Sequence, residues 1–313
     1  MILNYNYFMV EIVGVPFDLG GKNPRGSRLG PEAIRLAGLY SLLESLEISY
    51  HDRGNIIFEG GQHEPKMNDS IYKKLKESVS HILLEDKFPI VFGGDHSIAI
   101  GSVAAALEKY GEKLAVLWID AHADINTPDT SPAGDLHGMP VAALLGLESV
   151  KDKKWNKFKK EVVSENGNFL KSIAWIGIRD LDPGEKKQIH QMRDAFVMPI
   201  EKVDELGMIE VLRQFDQWMI NQGCTALWVS FDVDVLDPLW AKGTGTPVQG
   251  GLSYREALLS GRWFSKHLPG LNQSRYHIIG LDVVEVNPLL DTKNQTAKIA
   301  TEWIGSLMGQ RSL

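Results

Sequence analysis

A three-layer α/β/α fold around a mostly parallel central sheet is what this sequence predicts, on three observations. Short apolar runs rich in Val, Ile, Leu and Trp recur along the chain, each followed by a polar or Gly-rich turn and then a helix-like segment. The runs are apolar at nearly every residue, the pattern of strands buried on both faces by flanking helices. The 313 residues hold no Pro/Ser-rich linker and no internal repeat, so residues 1–313 are expected to form a single domain.

The first strand is expected at Val10–Val15, a β-branched run ended by a proline, and the next helix at Pro31–Glu47, which opens on proline and recurs apolar at helical spacing. Ser70–Leu84 reads as a helix feeding the strand Pro89–Phe92. Ile98–Tyr110 likewise feeds Leu114–Ile119. The strand Ser172–Ile178 is followed by helices at Glu185–Met192 and Met208–Gln222, the second amphipathic. Strands at Ala226–Phe231 and His277–Val283 flank a helix at Tyr254–Lys266, and Lys293–Leu307 closes the chain as a helix.

Composition narrows the function. With 43% hydrophobic and 23% charged residues the chain is an ordinary globular protein. Its 33 Lys+Arg against 40 Asp+Glu give a net charge of −7, which argues against non-specific nucleic-acid binding. The basic stretch Lys151–Lys160, with Trp155 and Phe158 interleaved, fits a solvated helix or loop face better than a nucleic-acid patch. The glycines of the segment from Gly20 to Pro31 match neither GxGxxG nor GxxxxGK[ST], so nucleotide binding is unsupported. One cysteine, Cys224, excludes an intrachain disulfide and a thiolate zinc site, and a reducing cytoplasm is the simplest home. The N-terminal Met1–Val10 lacks a basic region and a cleavage site, and no stretch is long enough to span a bilayer, so neither secretion nor membrane association is expected.

Metal-capable residues gather where strands end: Gly93-Gly-Asp-His96-Ser after one, Asp120-Ala-His122-Ala-Asp124 after the next, Asp232-Val-Asp234 after a third. Ligands of open α/β sheets bind outside the carboxyl ends of the strands, so the three clusters converge. Alternation in extended backbone would put Asp120, His122 and Asp124 on one side, and Asp232 with Asp234 likewise. Four carboxylates and two imidazoles in one volume require divalent cations to cancel the repulsion, and six ligands suit two metals. Asp95 fits a helix cap and a ligand equally well. His51, His63, His81, His190, His267 and His277 read as ordinary surface or core histidines.

Gly93-Gly-Asp-His-Ser, Asp120-Ala-His-Ala-Asp, Ser230-Phe-Asp-Val-Asp-Val-Leu-Asp-Pro and Gly243-Thr-Gly-Thr-Pro-Val-Gln-Gly-Gly-Leu together resemble the ureohydrolase family of arginases and agmatinases, most closely an arginase. The resemblance runs from Val13 to the last helix. It implies a binuclear manganese site with His96, Asp120, Asp124 and Asp232 on one ion and Asp120, His122, Asp232 and Asp234 on the other. Mixed carboxylate and imidazole donors also suit Co, Ni, Fe or Zn. The implied reaction cleaves the guanidino group of L-arginine to urea and L-ornithine through a metal-bridging hydroxide. Asp124 would orient that hydroxide, Glu285 would grip the guanidinium, and His137 would shuttle a proton near the leaving amine.

The other end of the pocket is expected to choose the substrate. Asn126, Ser131, Ala133 and Asp135 match family positions that hold an amino-acid carboxylate, but Ala133 lacks a hydroxyl and Asp135 brings an anion in place of an amide. Asp182 matches a carboxylate near the substrate α-amino group, Glu185 follows it, and Thr246 would line the pocket. The departures at Ala133 and Asp135 leave an agmatinase or another guanidino-compound hydrolase as the alternative. A metallophosphoesterase would share Asp120-Ala-His122 but need a later Gly-Asn-His, which is missing, and a non-catalytic relative would be expected to lose ligands that are all present. The partner is thus a small guanidino compound, and the resemblance implies a homo-oligomer, trimer or hexamer.

Overall fold

The computed structural model describes residues 9–21, 25–57, 69–270 and 274–311. His63 and the start of the Met1–Val10 segment lie outside these residues. Among the described residues eight strands form one sheet in the order β2-β1-β3-β8-β7-β4-β5-β6, and every paired neighbour is parallel. They are β1 Val10–Gly14, β2 Tyr50–Asn55, β3 Phe88–Phe92, β4 Leu114–Ile119, β5 Ser172–Ile176, β6 Phe196–Met198, β7 Ala226–Asp232 and β8 His277–Val284. The six expected strands are all present. The two that sequence reasoning missed are the two edges. β2 is Tyr-His-Asp-Arg-Gly-Asn, polar because an edge strand is only half covered, and β6 is three residues long.

The helices are α1 Gly30–Ile34, α2 Tyr40–Ser45, α3 Asp69–Leu84, α4 Ala99–Tyr110, α5 Pro140–Leu144, α6 Lys153–Val162, α7 Pro183–Gln191, α8 Ile200–Leu206, α9 Met208–Gln222, α10 Tyr254–Phe264 and α11 Gln295–Leu307. The sheet separates two cores. On one side lie apolar residues of α1, α2 and α8 to α11, on the other those of α3 to α6. That is the expected three-layer arrangement. The single helix expected over Pro31–Glu47 is instead broken, because Gly38 sits at φ 97°, a left-handed conformation that interrupts the α-helical ladder between α1 and α2.

α6 resolves the basic stretch. Asp152 caps it by accepting from the backbone N–H groups of Lys154 at 2.8 Å and Trp155 at 3.3 Å. Trp155 and Phe158 turn into the core, where Phe158 meets Tyr72 edge to face at 5.4 Å, so neither aromatic is available to stack on a base. Lys159 is buried too, donating to the Gly146 carbonyl at 2.6 Å and to Glu148 at 2.7 Å. The remaining lysines face solvent, as a solvated helix face requires.

The connectivity places the site. After β3 the chain skips two positions to lay down β4, and β7 and β8 later fill the gap, giving the contiguous order β3-β8-β7-β4. The carboxyl ends of these four neighbours bring residues 96, 120–124, 232–234 and 285 onto one rim. Among the described residues no helix is long and apolar enough to cross a membrane.

Candidate active site

All six metal-capable residues meet. His96 Nδ1 lies 3.0 Å from Asp120 Oδ2, 3.2 Å from Asp124 Oδ2 and 3.1 Å from Asp232 Oδ2. His122 Nδ1 lies 3.3 Å from Asp120 Oδ1 and 3.1 Å from Asp234 Oδ2. Asp120 thus offers one oxygen to each histidine and stands between two ligand groups. Simple alternation in extended backbone does not account for this. β4 ends at Ile119, Asp124 sits at φ 50°, and residues Val233–Val235 form a tight 3₁₀ turn. Left-handed backbone at a buried aspartate is sparsely populated, and it aims Asp124 back at His96.

Hydrogen bonds hold the carboxylates in place. Asp120 accepts from the Trp118 indole at 2.9 Å and from the His122 backbone at 2.6 Å, and Asp234 accepts from Thr246 Oγ1 at 3.0 Å and from the Ala121 backbone at 3.2 Å. Asp232 accepts from the Asp234 backbone at 2.8 Å. His96 stacks on Trp118 with centroids 3.9 Å apart.

The protonation pattern shows what the cluster is built for. His96 Nε2 pairs with Ser230 Oγ at 2.8 Å, and Ser230 itself donates to Asp282, so the serine oxygen must accept and Nε2 must carry the hydrogen. Asp282 also accepts from Trp228 at 2.7 Å and Ser102 at 2.9 Å. The other nitrogen, Nδ1, is buried with no hydrogen-bond partner among the described residues and with three carboxylates about it. A neutral imidazole lone pair against three carboxylates is repulsive unless a cation lies among them. Without one, the cluster can only borrow protons. Against the effect of burial, Asp120, Asp124 and Asp232 hold His96 well above its usual range, and burial together with the charge of Asp234 and Asp120 pushes Asp232 well up. Burial with the Asp120 charge pushes Asp124 up to about 6. The donor set fits divalent cations.

Glu285 follows β8 at φ 63°, accepts from the His96 backbone at 2.9 Å through Oε1, and lies 3.5 Å from His137 Nδ1. Burial opposes charge on His137, but the Glu285 carboxylate raises it to about 9. At the far end of the cleft Asn126 Nδ2 donates to Asp182 at 2.8 Å, and Thr130 Oγ1 donates to the Asn126 oxygen at 2.9 Å. Glu185 caps α7: one oxygen accepts from the Asp182 backbone at 2.9 Å, the other from the Ile125 backbone at 3.2 Å, and burial lifts it to about 7. Ser131, Asp135 and Thr246 share the cleft, which encloses about 300 Å³.

Every expected site residue therefore lines this cleft or lies directly beneath it. Asp95 is a cap, its carboxylate accepting from Ser97, and it belongs to neither ligand group. The other described histidines lie elsewhere, His51 against Glu11 and His267 stacked on Tyr276, for example. Sequence reasoning missed Ser230 and Asp282; a lone aspartate inside the apolar run of β8 was the available signal.

A profile of the Arginase family matches residues 8–309. The chain belongs to the arginase family. Its similarity to the arginase of Staphylococcus aureus strain COL is 39% identity over 97% of this chain and 98% of that protein, and to the arginase of Bacillus caldovelox 37% over 96% and 98%. The solved structure of the latter, 36% identical, superposes with a TM-score of 0.86 and covers 97% of this chain and 99% of its own. A hypothetical agmatinase from Burkholderia thailandensis, 28% identical, gives 0.73 over 96% of this chain and 85% of its own. The arginase family thus accounts for the eight-stranded parallel sheet and for a buried His/Asp cluster able to hold metal.

Proposed function

We propose that this chain hydrolyses the guanidino group of L-arginine to urea and L-ornithine at a centre of two manganese ions, with cobalt, nickel, iron or zinc as the alternatives. The observation that carries the reading is the buried, unpartnered His96 Nδ1 facing three carboxylates, beside an Asp120 shared with His122. His96, Asp120, Asp124 and Asp232 would hold one ion and Asp120, His122, Asp232 and Asp234 the other. Two such ions supply Lewis acidity and make water a nucleophile at neutral pH.

The protein's own groups do the rest. A guanidinium carbon is a poor electrophile because its charge is spread over three nitrogens, so position and proton supply govern the rate. Glu285, at the cleft floor, pairs with the planar guanidinium. Asp124 steers the attacking water and accepts its proton. Glu285, 3.5 Å away, favours the protonated form of His137. Once the guanidinium takes up the Glu285 charge, that proton is held less tightly and can pass to the departing δ-nitrogen. At the other end Asp182, fixed by Asn126, receives the α-ammonium, with Ser131 and Glu185 nearby and Thr246 on the wall.

A second reading has a specific observation behind it. The cleft is lined by Asp135 and Asp182 as well as the metal-capable residues, and Ala133 offers no hydroxyl, which favours a substrate lacking the carboxylate, such as agmatine. Assaying urea from arginine, agmatine, guanidinobutyrate and guanidine with manganese, cobalt, nickel and zinc separates the two. Urea from another guanidino compound but none from arginine, with manganese bound, would refute the arginase reading. We read residues 1–313 as one domain, working in the cytoplasm as a homo-oligomeric trimer or hexamer; light scattering tests the assembly.

A further inference from the structure

The glycine pair Gly20-Gly21, which matches no nucleotide motif, is packed between Asp95 and His137. Asp95 is a buried carboxylate with both oxygens in use. Oδ2 accepts from the Gly20 backbone at 2.6 Å, and Oδ1 accepts from the Ser97 backbone at 3.1 Å and the Ser97 hydroxyl at 2.5 Å. Gly20 in turn accepts through its carbonyl from the backbone N–H groups of Leu136 at 2.6 Å and His137 at 3.3 Å. The glycines make this close packing possible. A Cβ on Gly20 would lie 2.6 Å from Asp95 Oδ1, and one on Gly21 would lie 2.9 Å from His137 Nε2 and 3.0 Å from its Cδ2.

We propose that Asp95 is a positioning residue that sets the place of the His137 imidazole through the Gly20-Gly21 turn. The inference rests on the proton-transfer reading of His137. The carboxylate clasps the turn, the turn holds the main chain of residues 136 and 137, and the bare Cα of Gly21 is the shelf on which the ring lies. An asparagine at 95 keeps the shape but presents only one oxygen, so its amide meets either the Gly20 or the Ser97 donors and one clasp opens. Alanine at 21 displaces the ring directly, without touching the buried carboxylate. Because proton transfer tolerates little misplacement, either change should lower kcat about tenfold to a hundredfold.

The test is a double-mutant cycle on manganese-loaded protein, with Asp95→Asn, Gly21→Ala and His137→Asn alone and combined, measuring kcat, KM for arginine and bound metal. The expected result is a loss in kcat for each single variant, KM and metal content near those of the parent, and no further loss when Asp95→Asn or Gly21→Ala is added to His137→Asn. Losses that multiply in the combined variants, or a fall in metal content that accounts for the rate, would overturn the inference while leaving His137 its role. An unchanged kcat in His137→Asn would instead refute the reading of His137 and the inference with it. If Asp95→Asn does not fold, Gly20→Ala, whose Cβ would lie 2.6 Å from Asp95 Oδ1 and so press the same clasp open, takes its place in the cycle with the same expected and overturning results.

Discussion

Replacing Glu285 by Gln should bring His137 from about 9 down to near its ordinary 6.5 in the metal-free protein. The two groups lie 3.5 Å apart, and the hydrogen bond and charge of Glu285 are the largest influences raising the imidazole against its burial. Glutamine keeps the volume and removes the charge, so burial then opposes protonation with only the more remote Asp95 and Asp124 left to support it. A fall of that size corresponds to about 3 kcal/mol of lost interaction with the imidazolium. The sign follows from linkage. A group whose folded pKa is raised contributes stability that is whole below about pH 6.5 and is lost as pH rises through about 9. The variant should therefore fall furthest behind the parent near pH 6 and approach it above pH 9. Imidazole NMR titration gives the direct assay, with the His137 signal identified among nine histidines by its absence from His137→Asn. A midpoint that stays near 9 in Glu285→Gln would refute the pairing and the proton supply derived from it.

Chelation should lower the melting temperature and manganese should restore it, because the ions stabilise the folded chain by about 4 kcal/mol at a thousandfold excess over Kd; a melting temperature indifferent to metal would contradict the assignment of the His/Asp cluster. His122→Ala should leave one ion bound, whereas Asp120→Ala, which removes one of the two carboxylates assigned to both ions and the one that stands in both ligand groups, should cost both; metal analysis of the two variants decides it. Asp282→Asn should weaken metal binding about tenfold to a hundredfold by loosening the Ser230 link that directs the hydrogen of His96 to Nε2, and calorimetry would show unchanged affinity if that link is idle. Asp135→Asn should lower KM for arginine by relieving repulsion of the substrate carboxylate, and an equal or higher KM would count against the account.

Much of the fold is legible because buried parallel strands must be apolar at nearly every residue. Leu114–Ile119 matches its expected bounds for this reason, and the helix Met208–Gln222 matches its own because its apolar residues recur at helical spacing. β2 and β6 are not legible, since a polar edge and a three-residue strand carry no such signature, and the broken helix around Gly38 looks continuous because one glycine hardly disturbs an apolar period. The six metal-capable residues are legible as Asp and His at strand ends, where apolar burial has no claim on them.

Their precise arrangement has a different origin. Residue types and local spacing establish that acidic and imidazole groups cluster after three apolar strands, and the motifs establish the family. The contact of His96 with Asp120 and Asp232 arises only when β7 and β8 enter the gap left between β3 and β4, a pairing between segments more than a hundred residues apart. The left-handed turns at Asp124 and Glu285 are unfavourable locally and are held by the packing around them, so no local preference announces them. The same holds for Asp95 and Gly20, joined across 75 residues of chain by a single buried hydrogen bond.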